Sequence, residues 1–282
     1  MEIIVGKTAG FCYGVKRAVD GAKKELNMNP KLSCLGEIVH NKQVIKELES
    51  QGIEFIENIK NSAGTTVIRA HGVPKQTYEI AKKCNIEIKD YTCPNVLKIH
   101  KISDEYYKKG YYIFLCGSKN HPENIGTISH CGNNYSIIEK EEDIEEAIKD
   151  YKETEIEKIL IIAQTTYSLQ RFSKIEKKIK EIIGEEIEIT TKNTICKATE
   201  LRQIETEKIS RKVDYMIIIG GKNSSNTKKL YEIAIENCEN SICIETKKEL
   251  NIENIKKYKK VGIMAGASTP QSSISEVVES IS

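Results

Sequence analysis

Short apolar runs alternate with amphipathic, Lys/Glu-rich stretches along the whole chain, a pattern that predicts α/β architecture with largely parallel strands. Seven runs read as strands: Glu2 to Val5, Lys31 to Leu35, Thr66 to Ile68, Tyr111 to Leu115, Ile159 to Ile162, Tyr215 to Ile219 and Val261 to Met264. Each is followed by Gly, a small residue or polar residues. Between them, Val15 to Leu26, Val96 to Lys109 and Lys197 to Lys212 place apolar residues at helical spacing and read as surface helices.

The pattern repeats three times. Cys12, Cys93 and Cys196 each open a helix-like segment, followed by a strand and then by a polar cluster containing His40-Asn41, His121-Pro122-Glu123-Asn124 or Ser224-Ser225-Asn226. From 12 to 40, from 93 to 121 and from 196 to 224 the separation is the same 28 residues. A second strand in each repeat ends in Ala70-His71-Gly72, Gln164-Thr165-Thr166 or Gly266-Ala267-Ser268. Equal spacings of this kind identify repeated supersecondary units. Ligands bind at the carboxyl ends of parallel strands, so a pseudo-threefold relation of three α/β units predicts that the cysteines and polar strand ends share one central cavity. No Gly/Ser/Pro-rich linker separates the units.

Charge and cysteine usage narrow the chemistry. Among 282 residues, 43 Lys+Arg against 41 Asp+Glu leave a formal net charge of +2, which argues against a bulk electrostatic grip on nucleic acid. Met1-Glu-Ile-Ile-Val-Gly6 lacks a signal-peptide pattern, and no window approaches the ~20 apolar residues of a membrane span. The expectation is a cytoplasmic protein without a membrane partner. In that setting nine cysteines read as thiols or metal ligands, since an odd number cannot all pair internally.

The repeated cysteines lie far apart and form no local C-x₂₋₄-C pair, the usual mark of a zinc knuckle. A cubane cluster is the natural alternative, because iron-sulfur clusters take thiolate ligands, normally four for a 4Fe-4S centre. Three thiolates, from Cys12, Cys93 and Cys196, leave one iron open to bind a substrate oxygen as a Lewis acid. The other six, Cys34, Cys84, Cys116, Cys131, Cys238 and Cys243, read as small hydrophobes.

Around the thiolates the repeats gather His40, His71, His121, Ser224, Ser225, Asn226 and Ser268, a donor-rich set suited to a phosphate or diphosphate. His100 and His130 match no repeat position and read as ordinary helix or loop residues. Pro122-Glu123 has the composition of a helix start. A carboxyl placed there, beside an anion and away from water, also gains an elevated pKa and becomes a proton donor near neutrality.

In order and spacing, Gly10-Phe-Cys12-Tyr-Gly-Val15, Gly36-Glu-Ile-Val-His40-Asn41, Arg69-Ala-His71-Gly-Val73, Thr92-Cys93-Pro94, His121-Pro-Glu123, Gln164-Thr-Thr166, Lys222-Asn-Ser-Ser-Asn-Thr227 and Gly266-Ala-Ser268 resemble the 4-hydroxy-3-methylbut-2-enyl diphosphate reductase (LytB) family of the non-mevalonate isoprenoid pathway. The resemblance runs from Gly10 to Pro270. It implies a trefoil of three α/β units, 14–93, 94–192, and 1–13 with 193–282, the N-terminal strand joining the last unit. It further implies one 4Fe-4S cluster on Cys12, Cys93 and Cys196, and an external donor such as ferredoxin or flavodoxin. By matching position His40, His71, His121, Ser224, Asn226 and Ser268 bind diphosphate, Ser225 supports their loop, and Glu123 with Thr165 relays protons. One departure stands out, Asn120 in place of the Gly that commonly precedes His-Pro-Glu. Two other functions compete with reduction: a non-redox iron-sulfur hydro-lyase, separated by its indifference to reductant, and a cluster-binding RNA-associated regulator, separated by salt-sensitive RNA binding.

Overall fold

The computed structural model describes residues 1–282. In chain order the elements are β1 (Glu2–Val5), α1 (Tyr13–Met28), β2 (Leu32–Leu35), α2 (Lys42–Ser50), β3 (Glu54–Ile56), β4 (Thr65–Ile68), α3 (Lys75–Lys83), β5 (Glu87–Asp90), α4 (Pro94–Lys108) and β6 (Tyr112–Cys116). They continue with α5 (Pro122–Ile128), β7 (Tyr135–Ile138), α6 (Ile144–Lys152), β8 (Lys158–Ala163), α7 (Leu169–Ile183), β9 (Glu188–Thr191), α8 (Lys197–Ser210) and β10 (Tyr215–Ile219). The last are α9 (Ser225–Asn237), β11 (Ser241–Ile244), α10 (Ile252–Ile255), β12 (Lys260–Ala265) and α11 (Gln271–Ile281).

The strands make three four-stranded sheets, ordered β3-β2-β4-β5, β7-β6-β8-β9 and β11-β10-β12-β1. Every pairing is parallel. All three sheets follow one plan: the chain enters an inner position, steps out to an edge, crosses to the other inner strand and ends on the far edge. Only in the third does the far edge come from the start of the chain, where Ile3 registers with Val261 and Val5 with Ile263. The three-unit α/β architecture read from the repeats is therefore present in the strand order itself.

The inner strands are mostly apolar and almost wholly buried because helices cover both faces of a parallel sheet. Tyr112–Cys116 and Tyr215–Ile219 are buried throughout. In the second sheet Tyr112, Phe114 and Cys116 enter one core layer while Ile113 and Leu115 enter the other. The third sheet divides Ile217 and Ile219 from Met216 and Ile218 in the same way. Fully burying one such side chain contributes roughly 1.5–3 kcal/mol, so the two-sided layers are the main source of stability.

Contacts divide the chain into two compact units. One comprises Met1–Val19, Val39–Gln51 and Lys197–Ser282 and contains the third sheet; the other comprises Asp20–Ile38 and Gly52–Cys196 and contains the first two. In each sheet the order reverses between the inner strands β2/β4, β6/β8 and β10/β12, the crevice where α/β proteins bind ligands. The polar clusters of the sequence follow the carboxyl ends of those six strands. No helix is long and apolar enough to cross a membrane.

Inside the second unit, Tyr91 lies flat against α1 at Gly21 and donates through its hydroxyl to the buried Glu25 carboxylate at 2.9 Å. A Cβ on Gly21 would stand 2.0 Å from the Tyr91 ring. In an exposed helix Gly→Ala stabilises by about 1 kcal/mol; here overpacking reverses the sign. Gly21→Ala is expected to lower stability by about 1–3 kcal/mol in denaturant unfolding, and a gain would show that Tyr91 yields freely.

Candidate active site

The three repeated cysteines occupy equivalent backbone positions. Cys12 and Cys196 directly precede α1 and α8, and Cys93 caps α4. Each donates its backbone N–H to the carbonyl of a residue just past an inner strand: Cys12 to Ala267 at 3.1 Å, Cys93 to Ala70 at 2.9 Å and Cys196 to Thr165 at 3.0 Å. Those acceptors belong to the three triplets Gly266-Ala-Ser268, Ala70-His-Gly72 and Gln164-Thr-Thr166. Helix propagation begins at once, with Lys16 N–H on Cys12 C=O and Leu97 N–H on Cys93 C=O. All three thiols are partly exposed.

Four of the remaining cysteines, Cys34, Cys116, Cys131 and Cys238, are buried as expected of small hydrophobes. Burial pushes the Cys34 and Cys131 thiols up to about 12 and Cys116 higher still, which keeps them protonated. Cys243 is half-buried on β11, and Cys84 departs from the expectation: it caps the end of α3 and is exposed. Its position past the last helical turn, before the left-handed Asn85 (φ 53°), takes it off the packed face.

In the second unit β6 and β8 bring Glu123 and Thr165 together. Glu123 is 2% exposed and sits in the first turn of α5, whose N-cap is His121. Its carboxylate accepts the Thr165 N–H at 2.6 Å and the Thr165 hydroxyl at 2.7 Å. Burial pushes the Glu123 carboxyl up to about 7, against the downward pull of the two Thr165 bonds. His121 Nδ1 accepts the Glu123 N–H at 3.2 Å, which assigns its ring proton to Nε2. His71 meets the His121 ring edge-on, centroids 5.3 Å apart.

Behind this pair stand two residues of the motif series to which no role was attached. Asn124 Nδ2 donates to Gln164 Oε1 at 2.9 Å and to the Ser118 carbonyl at 2.8 Å, and Gln164 Oε1 also accepts the Ser118 N–H. Their position one residue from Glu123 and Thr165 was the available signal. His100 lies in α4 as a packed helix residue: it is buried, stacked on His130 at 4.7 Å, and a Cβ on Gly72 (φ +74°) would lie 3.0 Å from its ring. Burial and the neighbouring His130 push His100 down to about 4. Asn120 takes no left-handed φ, so the loop before His-Pro-Glu does not need the absent glycine.

The first unit assembles the other group. Ser224 caps α9 and accepts the Thr227 N–H at 3.3 Å; Ser225 opens the helix, half-buried. Ser268 donates to the His40 carbonyl at 3.1 Å. Asn226 is 2% exposed, and neither its Nδ2 nor its Oδ1 has a hydrogen-bond partner in the protein. A buried amide left so costs about 1–3 kcal/mol. Such groups persist where a ligand supplies the partners, and the unpaired N–H groups of a helix N-terminus suit an anion.

Three repeated parallel sheets with a buried acid at an inner strand end define an α/β enzyme of the crevice-binding class. The family model described as LytB protein matches residues 3–282, and the chain belongs to that family. The 4-hydroxy-3-methylbut-2-enyl diphosphate reductase of Caldanaerobacter subterraneus subsp. tengcongensis is 42% identical over all of this chain and 96% of its own length. The Aquifex aeolicus protein of the same name is 41% identical over 98% and 94%. A solved (E)-4-hydroxy-3-methyl-but-2-enyl diphosphate reductase, described as the terminal enzyme of the non-mevalonate pathway, superposes with TM-score 0.71 at 39% identity, covering 100% of this chain and 99% of that one. A Plasmodium falciparum E-1-hydroxy-2-methyl-but-2-enyl-4-diphosphate reductase gives 0.89 at 32% identity, covering 99% and 87%. Membership carries iron-sulfur dependence. These relatives are reductases and lend no support to the hydro-lyase or RNA-regulator readings.

The elevated Glu123 pKa has a stability signature. The native protein holds a proton there that the unfolded chain releases between about pH 4.5 and 7. The site's contribution is full below the unfolded value and lost as pH rises through the folded one. Glu123→Gln removes the dependence, so its Tm relative to wild type is expected to rise between pH 5 and pH 8 in calorimetry. A pH-independent difference would contradict the assignment.

Proposed function

We propose that this chain carries out the two-electron reductive dehydroxylation of 4-hydroxy-3-methylbut-2-enyl diphosphate to isopentenyl and dimethylallyl diphosphates, the final step of the non-mevalonate pathway. Two electrons and two protons enter, water leaves, and one of two allylic carbons takes a proton. The observation that carries the reading is the Glu123–Thr165 pair, an acid poised near neutrality whose threonine partner also anchors the Cys196 backbone.

The donor set suits one 4Fe-4S cluster with three cysteine ligands, Cys12, Cys93 and Cys196. They are the three partly exposed thiols at strand-anchored helix starts, while the protonated, buried Cys34, Cys116 and Cys131 are poor ligands. When bound, the cluster supplies electrons one at a time and an open iron as Lewis acid for the substrate hydroxyl. We assign the units as 14–93, 94–192, and 1–13 with 193–282.

The chain's own residues do the rest. Glu123, protonated, gives its proton to the departing oxygen, and the Thr165 hydroxyl on its Oε2 carries that proton across the 2.7 Å gap. Asn226 and Ser224 at the start of α9, with Ser268 and the imidazoles of His40, His71 and His121, bind the diphosphate; Ser225 holds their loop. His121, with its proton on Nε2, donates from that atom. Electrons come from an external cytoplasmic carrier such as ferredoxin or flavodoxin.

Two measurements test this. In an anaerobic dithionite-driven assay, Glu123→Gln is expected to retain iron, sulfide and substrate binding but lose turnover by roughly 10²-fold or more; full activity removes Glu123 from the mechanism. Asn226→Leu exchanges an unsatisfied buried amide for an apolar group of similar shape, so it is expected to raise Tm while weakening diphosphate binding by about tenfold or more. A variant that loses stability and keeps affinity would take Asn226 out of the site.

A further inference from the structure

The loops that deliver the three cysteines are not held alike. Before Cys93, Asp90 Oδ1 accepts the Thr92 N–H at 2.8 Å. Before Cys196, Asn193 Oδ1 accepts the Ile195 N–H at 3.1 Å, and the Thr194 hydroxyl bonds both the N–H and the carbonyl of Ala163. Both loops carry a local Asx-type turn, the acceptor two residues from its donor. The loop before Cys12, Lys7-Thr8-Ala9-Gly10-Phe11, has no Asp or Asn to make one.

Apart from a turn bond from the Ala9 N–H to the Gly6 carbonyl at 3.2 Å, its backbone is held from α8, nearly two hundred residues away. Glu205 accepts the N–H groups of Lys7 and Thr8, both at 2.8 Å, and the Thr8 hydroxyl at 2.5 Å. Arg202, one turn earlier on the same helix face and 3% exposed, donates Nε to the Thr8 carbonyl at 2.9 Å and Nη2 to the Gly10 carbonyl at 2.8 Å. Burial acts to raise the Glu205 carboxyl, but the Thr8 and Lys7 bonds outweigh it and hold the group below the ordinary carboxylate range. A buried guanidinium used on two main-chain carbonyls of one loop fixes that loop in both position and direction. Two residues past Gly10, the Cys12 N–H reaches Ala267.

We propose that Arg202 and Glu205 are positioning residues for Cys12: together they clip residues 7–10 and so set where the Cys12 thiolate stands, a task that side chains of the loops themselves, Asp90 and Asn193 with Thr194, perform for the other two cysteines. The proposal rests on Cys12 being a cluster ligand. Releasing either half of the clip frees the Cys12 loop selectively.

The test uses the full-length chain as Glu205→Gln and Arg202→Met, with Asp90→Ala as the counterpart at Cys93. On cluster-free protein, iodoacetamide alkylation of each cysteine is followed by peptide mass spectrometry. On cluster-loaded protein, iron loss to a chelator is timed. Removing charge-assisted bonds from a locally opening loop is expected to raise the Cys12 rate on the order of tenfold, leaving Cys93 and Cys196 within about twofold, with faster iron loss. Asp90→Ala is expected to move Cys93 instead. An unchanged Cys12 rate, or three rates rising together, overturns the proposal. If Arg202→Met does not fold, the half-exposed Glu205→Gln decides alone. Selective Cys12 alkylation with unchanged iron loss overturns the ligand assignment of Cys12, and leaves the clip as a purely structural device.

Discussion

The placement of the three repeated cysteines depends on one hydrogen bond made three times, the cysteine N–H to a carbonyl just beyond an inner parallel strand. A buried main-chain donor must find an acceptor, and a strand that has just left its ladder offers one. The bond ties a helix start to a sheet end, so the thiol's position follows sheet geometry as well as the loop that leads to it. At Thr165 the tie has a second use. Its carbonyl takes the Cys196 N–H while its own N–H and hydroxyl hold the Glu123 carboxylate, which joins acid and thiol through a single residue.

The site also carries groups that work against the fold. Glu123 is desolvated, and Asn226 is buried with both amide atoms unmet. Each is destabilising by an amount comparable to one well-packed side chain. The sheets that position them have apolar layers on both faces, and that surplus lets the crevice remain polar. Stability and function are therefore segregated within each sheet: apolar side chains along the strands, unmet polarity at their carboxyl ends.

Much of this was legible beforehand. The inner strands β2, β4, β6, β8, β10 and β12 are mostly apolar runs, because both their faces are covered, and β1 carries Ile3-Ile4-Val5 although it lies at an edge. The edge strands β3, β5, β7, β9 and β11 escaped notice. Glu54-Phe-Ile56, Glu87-Ile-Lys-Asp90 and Glu188-Ile-Thr-Thr191 are short and half polar, since one border meets solvent, and at that length periodicity decides nothing. At the site, the spacing of 28 residues pointed to the strand ends, but pairing Glu123 with Thr165 came from family resemblance; no local pattern links residues 42 apart. The Asn124–Gln164 bridge, the His100–His130 stack and the Arg202–Glu205 clip were invisible for the same reason. Cys84 misled because free cysteine is usually a buried residue, and only the helix end at this position takes it off the packed face.

The sharing of the third sheet between the two chain ends has a consequence for biosynthesis. β1 has no ladder until β12 exists, and Cys12 has no carbonyl to bind until residue 267 has been added. During translation the first two sheets can close in order as they emerge, whereas the opening strand must wait for almost the entire polypeptide. The Cys12 anchor is thus the last of the three to form.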